Sequence, residues 1–517
     1  MLVILTFGAM AGYAVQYRFQ GNFADHAQLK SGHNTSRGFL APLDQMLAES
    51  EPPLDEILDF LVDSHHLQEQ ITFSRLTDLD LEQWLGRIPI QQRLIDSRLE
   101  PQQKQVVLEF WNSLHEGEPT HSLIVASQQK PPIRHANLAI GLFWEANGSS
   151  VQAAEAFERE GNSPGATDAR TRAIASYFHL DDMDALARLS ADPRYWDLIT
   201  IPIQMHLAVS QENWLQLWWL IPINEWQHYQ LGPALLAFFA GFCWFIFALH
   251  AGQIDAATGA RGWLCAAAVV LGILSTWFTH WLIYWQEVHW QMIESDTLLG
   301  GIRYFVLGVG LREEGSKALF LLPLAPILIY RRNEMEMLIV CACVGLGFAS
   351  LENQQYFAAT AGTATIGRFL TANFFHMAAT GIIGLAMMRA IWVPRTHLAE
   401  GALMFILVVF AHGFYDALIA VPAMPEYSSY GSLIIYILLA YLFFHELRSM
   451  RNTRAEAISL TATFLCGVSM LTAVTFVYLC AQFGFTNATN LLAFEVVSMA
   501  LMTYMFLREM PGSLVTV

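Results

Sequence analysis

The sequence predicts an all-α fold in which a soluble helical domain precedes a polytopic helical membrane bundle of about nine spans. Of the 517 residues, 54% are hydrophobic, but the long apolar runs begin only after about residue 230. Those runs are long and do not alternate with polar residues, so they indicate membrane helices rather than strands. The polar first part instead shows apolar residues at helical spacing.

The bundle follows from apolar runs that are long enough to cross a hydrocarbon core, which takes about 20 residues each. The predicted spans are 232–251, 263–285, 298–330, 337–358, 366–391, 401–421, 431–446, 458–482 and 490–507. One of them, 298–330, is too long for a single straight crossing, and we expect a break at Gly308 and Gly310. Residues 232–294 then hold two spans, 295–446 a core, and 447–517 the C-terminal spans.

The soluble part is predicted as an acidic α-helical domain over residues 17–211. Residues 231–517 contain 16 Asp and Glu against 13 Lys and Arg, a balance of −3, which leaves −14 of the total of −17 for residues 1–230. An acidic domain without a basic run argues against nucleic acid as a partner. Small and large residues over 137–162, such as Gly141 and Phe157, resemble one tetratricopeptide repeat, which would bind a peptide or protein. An ordinary helical hairpin is the alternative.

Two short segments flank this domain. Residues 1–16 form an apolar run that is either a signal peptide or an N-terminal anchor. Residues 212–231 are rich in Trp, which favours the membrane–water boundary, and we expect this segment to lie on the bilayer surface.

The Lys and Arg residues of short loops predict the orientation. Arg residues occupy every second loop, and the intervening loops 286–297, 422–430 and 484–489 contain neither Lys nor Arg. We therefore expect a multi-pass protein of the plasma (inner) membrane with a cytoplasmic C-terminus and with residues 17–231 outside the cytoplasm.

Four of the apolar helices carry ionisable residues, which are costly at membrane depth and usually mark function. They are Glu313, Glu314 and Lys317 on the first helix, Glu352 with Asn353 on the second, His376 on the third, and His412 with Asp416 on the fourth. Taken alone, the first group also fits a helix whose span begins after Lys317. Glu495 and His280 lie in apolar runs without a partner motif, and we interpret them as structural.

The depth of these residues is the stronger signal. At 1.5 Å per residue, Glu352 lies roughly 9 Å, His376 roughly 15 Å, His412 roughly 14 Å and Asp416 roughly 8 Å below the predicted outer ends of their helices. Because the helices alternate in direction, unrelated polar groups would be scattered. The common depth predicts one water-filled chamber in the outer half of the membrane.

The ordered set of motifs over about 295–445 resembles the PrsW family of intramembrane proteases, which is related to the CAAX-processing and bacteriocin-immunity membrane proteases. The motifs are EExxK at 313–317, FxxxE followed by Asn at 348–353, the isolated His376, and HxxxD at 412–416. Glu352 stands where the CAAX-processing relatives usually have His, which favours PrsW. The resemblance implies a bacterial membrane peptidase that cuts membrane-anchored proteins, such as anti-sigma factors, on the extracytoplasmic side.

The resemblance also implies catalytic roles for Glu313, Glu314, Glu352, His376 and His412, with Lys317, Asn353 and Asp416 in support. Amide hydrolysis needs an activated water, an oxyanion stabiliser and a proton for the leaving amine. We expect Glu313 to be the general base. Glu352, His376 and His412 form a plausible set of ligands for one Zn²⁺, although metal-free glutamate catalysis stays open.

Two other functions fit intramembrane Glu and His residues. A transporter would be expected to show an inverted repeat or paired broken helices, and only the segment around Gly308 is broken by glycine. A non-catalytic scaffold or sensor would use the helical domain to bind partners.

Overall fold

The computed structural model describes residues 3–12, 41–73, 90–254, 259–425, 428–451 and 458–510, with only the backbone described for residues 41, 67–73 and 429. Every regular element within these ranges is helical, as the sequence predicts. The chain divides into two compact units, one formed by Met1–Asp25 with Ile221–Val517 and one by His26–Leu220.

The first helix, α1 (Val3–Gly12), is short and apolar. Its two glycines face a later helix closely, because a Cβ at Gly8 would lie 2.5 Å from the Cβ of Ala473, and one at Gly12 would lie 2.9 Å from the Sγ of Cys480. This helix therefore packs against the later helix Leu460–Phe483, which belongs to the same unit.

The His26–Leu220 unit, which we call the N-terminal unit, consists of short helices. They are α2 (Ala41–Ala48), α3 (Leu54–Phe73), α4 (Ile90–Asp96), α5 (Pro101–Glu116), α6 (His121–Gln128), α7 (Ala136–Ala146), α8 (Ser150–Gly161), α9 (Thr167–His179), α10 (Met183–Ser190), a 3₁₀ turn (Pro193–Leu198) and α11 (Ile201–Ser210). The predicted hairpin is α7 with α8, and a Cβ at Gly141 would lie 2.4 Å from the ring of Phe157, so glycine permits the close crossing. The likeness to a tetratricopeptide repeat stays a prediction.

Glu160 lies at a position of the hairpin where a tetratricopeptide repeat usually has a small residue. Its side chain is buried, and its two oxygens accept the backbone N–H groups of His135 at 2.7 Å and Asn137 at 3.1 Å. The first N–H groups of a helix lack partners within the helix, so the carboxylate caps the start of α7. A small residue at position 160 could not do so.

The other unit, which we call the membrane unit, contains the apolar helices. They are α12 (Trp214–Gln227), whose first residues belong to the N-terminal unit, α13 (Leu231–Ala251), α14 (Ala260–Trp290), α15 (Leu298–Arg303), a π-helical segment (Tyr304–Gly310), α16 (Leu311–Leu321), a 3₁₀ turn (Leu322–Leu324), α17 (Ala325–Arg331), α18 (Glu334–Ala359), α19 (Thr365–Arg368), a second π-helical segment (Phe369–Asn373), α20 (Phe374–Trp392), α21 (Pro394–Ala420), α22 (Ser429–Met450), α23 (Leu460–Phe483), α24 (Phe485–Ser498) and α25 (Ala500–Glu509).

Seven helices in the described residues are long and apolar enough to cross a membrane, and the bent pair α24–α25 makes up to eight. The predicted span over 298–330 differs from the rest, because it consists of short α, π and 3₁₀ pieces. The expected break falls in the π-helical segment that ends at Gly310. The count of nine spans is therefore not reached by length and composition.

The Trp-rich helix α12 exposes an apolar face and is tied to the bundle by one carboxylate. Trp219 is 64% exposed and Trp226 is 75% exposed. Glu225 accepts the indole N–H of Trp277 at 3.1 Å and lies 2.5 Å from Nδ1 of His280. His280, interpreted as structural, thus pairs with this helix.

Candidate active site

Two close helix crossings bring the polar residues together. A Cβ at Gly413 would lie 2.3 Å from the carbonyl oxygen of Phe305, and one at Gly310 would lie 2.5 Å from that of Val409. Only glycine allows α21 to approach the π-helical segment this closely. The crossing sets His412, next to Gly413, beside the first turn of α16.

The second crossing joins α18 and α20. A Cβ at Gly345 would lie 2.1 Å from the carbonyl oxygen of His376, so the two backbones are almost in contact. Phe348 and Glu352, one and two turns further along α18, consequently face the imidazole of His376.

Lys317 lies at the centre of the cluster and is fully buried. Its Nζ is 2.8 Å from Oε1 of Glu314, 3.4 Å from Oε2 of Glu313 and 2.8 Å from Nδ1 of His376. It also lies 4.0 Å from the ring centroid of Phe348. An ammonium has three donors and no acceptor, so these contacts use its hydrogens on two carboxylates and one imidazole. The cation offsets the charge of the buried acids.

His412 is oriented by the second of the two adjacent glutamates. Its Nδ1 lies 2.7 Å from Oε1 of Glu314, while its Nε2 faces Oε2 of Glu313 at 3.7 Å and Oδ2 of Asp416 at 3.5 Å. A carboxylate on one imidazole nitrogen fixes the tautomer and makes the other nitrogen a better base or ligand. Nε2 is the nitrogen that His412 presents to the site.

His376 is held from both sides. Because the Lys317 ammonium donates to Nδ1, the proton of a neutral imidazole lies on Nε2, which is 2.9 Å from Oε2 of Glu352. The two imidazole rings of His376 and His412 lie 5.2 Å apart, centroid to centroid.

The structure therefore brings the predicted residues Glu313, Glu314, Lys317, Glu352, His376, His412 and Asp416 into one cluster. Asn353 lies at the edge of this cluster and is linked to Glu352 through Arg368. Its Nδ2 donates to Oδ1 of Asn373 at 2.7 Å, which is the helix-to-helix hydrogen bond that such residues form in membranes.

Sequence reasoning missed Arg368. Its guanidinium lies 3.2 Å from Oε2 of Glu352, donates to Oδ1 of Asn353, and stacks 3.5 Å from the ring centroid of Tyr356. The signal was present, because Arg368 is an ionisable residue in an apolar run, eight residues before His376. Its position at the start of the predicted span 366–391 makes it resemble an ordinary helix-end residue.

One group of side chains has the chemistry of a metal site. Glu313, His376 and His412 each offer a ligand atom, and these three atoms lie within 4.8 Å of one another. Two imidazoles and one carboxylate form a donor set that suits catalytic Zn²⁺, and Glu314 on the far nitrogen of His412 supplies the usual supporting carboxylate. The residues present fit a metal. The sequence prediction named Glu352 as the carboxylate ligand, whereas in the structure the carboxylate of this group is Glu313. Glu352 contacts His376 but lies outside the group.

Comparison with known proteins identifies a family for this part of the chain. Residues 260–444 match the family model of the PrsW family intramembrane metalloprotease. The predicted resemblance is thus confirmed for this segment, which runs from α14 to α22 and contains the whole cluster. Neither a curated protein nor a solved structure matches the chain.

The PrsW match and the seven candidate spans support an intramembrane protease in a multi-pass membrane protein. The PrsW segment accounts for α14 to α22. The helix α1, the N-terminal unit, α12, α13 and the helices from α23 onward lie outside it.

Proposed function

We propose that this chain is a PrsW-type protease that hydrolyses peptide bonds of membrane-anchored proteins near the extracytoplasmic face. The observation that carries the proposal is the convergence of Glu313, His376 and His412, which come from three separate helices and offer donor atoms within 4.8 Å. Each lies in an apolar helix, where an ionisable group is costly unless it has a function.

The exposure of the carboxylates supports a division of labour between them. The Glu314 side chain is fully buried, whereas the side chains of Glu313, Glu352 and Asp416 are 13%, 21% and 28% exposed. Of these four carboxylates, only the latter three have accessible surface. We assign Glu314 and Lys317 to orientation, and the exposed carboxylates to proton transfer.

In the metal-free form of this mechanism, Glu313 takes the proton of the attacking water. His412 lies beside it with Nε2 directed at the same place, 3.7 Å from Oε2 of Glu313. Glu352, in its protonated form, gives the leaving amine its proton, while His376 donates its Nε2–H to Oε2 of Glu352 across their 2.9 Å contact and orients this carboxyl group. The proton that Glu313 takes from the water is then passed to Glu352, so that both carboxyl groups return to their starting state. Arg368, beside Glu352, is the cation that can face a developing oxyanion.

The metal form uses the same residues differently. Glu313, His376 and His412 would hold one Zn²⁺, which supplies a Lewis acid and an acidified water when bound. Glu313 would then serve as a ligand. Asp416 and Glu352 are the carboxylates that flank the site, and in this form we assign the general-base role to Asp416, 3.5 Å from Nε2 of His412. The contacts of His376 with Lys317 and Glu352 would have to rearrange to free a nitrogen.

We also propose a regulatory role for the N-terminal unit. We assign to it the selection of substrate through the α7–α8 hairpin, as a tetratricopeptide-like surface for a peptide or protein. The exposed Trp219 and Trp226 of α12 support a position on the bilayer surface. We further propose that residues 17–231 lie outside the cytoplasm and that the cleavage is of the anti-sigma-factor type.

Membrane proteomics tests the function without requiring a known substrate. Cells that carry the wild-type chain are compared with cells that carry Glu313→Ala, and Glu400→Gln, an exposed carboxylate on α21 paired with His397, serves as the control. We expect a single-pass protein to accumulate uncut only with Glu313→Ala. Identical membrane proteomes for wild type and Glu313→Ala would contradict a protease.

A further inference from the structure

Glu495 is a buried carboxylate on a helix outside the PrsW match. The inward face of α24 carries Ala488, Leu492 and Glu495, while Phe494 and Val497 on the other side are 78% and 73% exposed. An acid on the inner face of an apolar helix is costly, so it needs a partner of matching chemistry.

The partner is the backbone of the segment that leads into the active site. Oε1 of Glu495 accepts the N–H of Gly367 at 2.8 Å, and Gly367 is the residue before Arg368. This N–H belongs to the first turn of α19, where amides lack acceptors within the helix. The other oxygen, Oε2, is buried and has no hydrogen-bond partner among the described residues.

The segment that follows is π-helical and is bonded to other helices. Two of its carbonyl groups accept hydrogen bonds from them: the indole N–H of Trp244 donates to the carbonyl of Phe369 at 2.7 Å, and the hydroxyl of Tyr436 donates to that of Leu370. Such π-helical insertions occur mostly at functional sites. Glu495 is the ionisable member of this set of hydrogen-bonding side chains.

Position along the chain connects these hydrogen bonds to the site. Arg368 precedes the π-helical segment and contacts Glu352, and His376 follows it and contacts the same carboxylate. A shift of the segment therefore moves both contacts of Glu352 at once. The preceding loop is also covered by α23, since a Cβ at Gly362 would lie 2.7 Å from the ring of Tyr478.

We propose that Glu495 is a positioning residue of the active site, which holds the Gly367–Asn373 segment so that Arg368 and His376 meet Glu352. This inference rests on the proposed proteolysis and deepens it. It makes the C-terminal helices part of the catalytic unit, although they lie outside the family match.

The test measures cleavage of a transmembrane reporter by the full-length protein reconstituted in liposomes. Glu495→Ala removes the acceptor, and Glu495→Gln keeps one acceptor oxygen. Glu509→Ala is the matched control, because Glu509 lies on the same bent pair but binds Arg448 of α22. We expect Glu495→Ala to lower kcat about tenfold with KM within about twofold, since the lost contact misplaces reacting groups without touching substrate. Glu495→Gln and Glu509→Ala should cleave as wild type does.

A double-mutant cycle separates positioning from a general loss of stability. Arg368→Ala is combined with Glu495→Ala, and we expect the effect of Glu495→Ala to shrink in the Arg368→Ala background, because residues that act through one contact are not additive. If Glu495→Ala does not fold, Glu495→Asp replaces it, since the shorter side chain withdraws the oxygens from Gly367.

The outcomes distinguish the two claims. A folded wild-type protein that cuts no reporter would overturn the proteolysis and this inference with it. Cleavage by wild type with an unchanged kcat in Glu495→Ala, or equal losses in Glu495→Ala and Glu495→Gln, would overturn the positioning role and leave the proteolysis standing.

Discussion

Glu160 in the N-terminal unit and Glu314 in the membrane unit are both buried glutamates, but their partners differ. Glu160 is bound by backbone N–H groups of His135 and Asn137, which cannot titrate or move away. Glu314 is bound by Lys317 at 2.8 Å and His412 at 2.7 Å, which are ionisable side chains from two helices.

The comparison shows that burial of a carboxylate does not by itself indicate chemistry. A carboxylate that caps a helix supports local structure, whereas one that shares protons with an imidazole and an ammonium orients groups that can react. Glu495 combines the two, since it binds a backbone amide but does so beside the active site. Substitutions in both units test this distinction.

The largest effect on stability is expected for Lys317→Met. It leaves the buried Glu314 and the largely buried Glu313 without their cation, and breaking a buried ion pair from one side costs about 3–5 kcal/mol. The melting temperature of the purified full-length protein measures the loss. The matched change in the N-terminal unit, Arg172→Met, should cost at most about 1 kcal/mol, because its partners Asp59 and Asp168 are partly exposed. Equal losses of stability from the two changes would contradict the difference between the two units.

The second effect is on the site rather than on the fold. Glu314→Gln should weaken zinc binding or cleavage about 10- to 100-fold, since it removes the carboxylate that orients His412. Zinc titration of the purified protein and the reporter assay measure the two quantities. Glu160→Gln is the control and should change neither. An unchanged Glu314→Gln protein would show that this carboxylate is only structural.

A smaller and local effect is expected for Glu160→Ala. The change removes the cap from the start of α7 and should cost about 1 kcal/mol of local stability, with cleavage of the reporter unaffected. Hydrogen exchange of the α7 and α8 amides in the full-length protein measures it. Loss of cleavage would instead give the hairpin a part in catalysis.

A further expected effect is a pH dependence of the same hairpin. Burial, with Arg134 nearby, lowers the pKa of His135 from 6.5 to about 4. Below pH 6.5 the unfolded state therefore takes up the proton first, so stability is fully present above pH 6.5 and is lost as the pH falls towards 4. Protection factors of the α7 amides should drop between pH 7 and pH 5 in wild type.

His135→Asn is the matched variant for this prediction. Asn tolerates the left-handed backbone that His135 adopts, with φ of 69°, and it does not titrate. Its protection factors should vary less over the same interval. An equal pH dependence in both proteins would assign the effect to other groups.

The sequence was sufficient to predict the helical class and the residues of the cluster, because an ionisable side chain in an apolar run is conspicuous. Gly308 and Gly310 predict a kink, and the segment there is indeed irregular. The stronger role of Gly310 is the close crossing with Gly413, which involves two distant segments and so leaves no local pattern.

The sequence could not predict which carboxylate joins the two imidazoles. Two π-helical segments, Tyr304–Gly310 and Phe369–Asn373, change the angular position of every residue after them. The directions in which the side chains of Glu313 and His376 point therefore cannot be calculated from the 100° per residue of a regular α-helix. Arg368 was missed, and Glu495 was interpreted as structural, for a related reason, since their partners are defined only by tertiary packing.

The central claim is that Glu313, His376 and His412 form one hydrolytic site. The most direct test is the cleavage rate of a transmembrane reporter by the full-length protein in liposomes, measured for wild type and for Glu313→Gln in parallel. We expect wild type to cut the reporter at one position and Glu313→Gln to be at least about 100-fold slower while its melting temperature stays close to that of wild type. Cleavage by Glu313→Gln at the wild-type rate would contradict the claim.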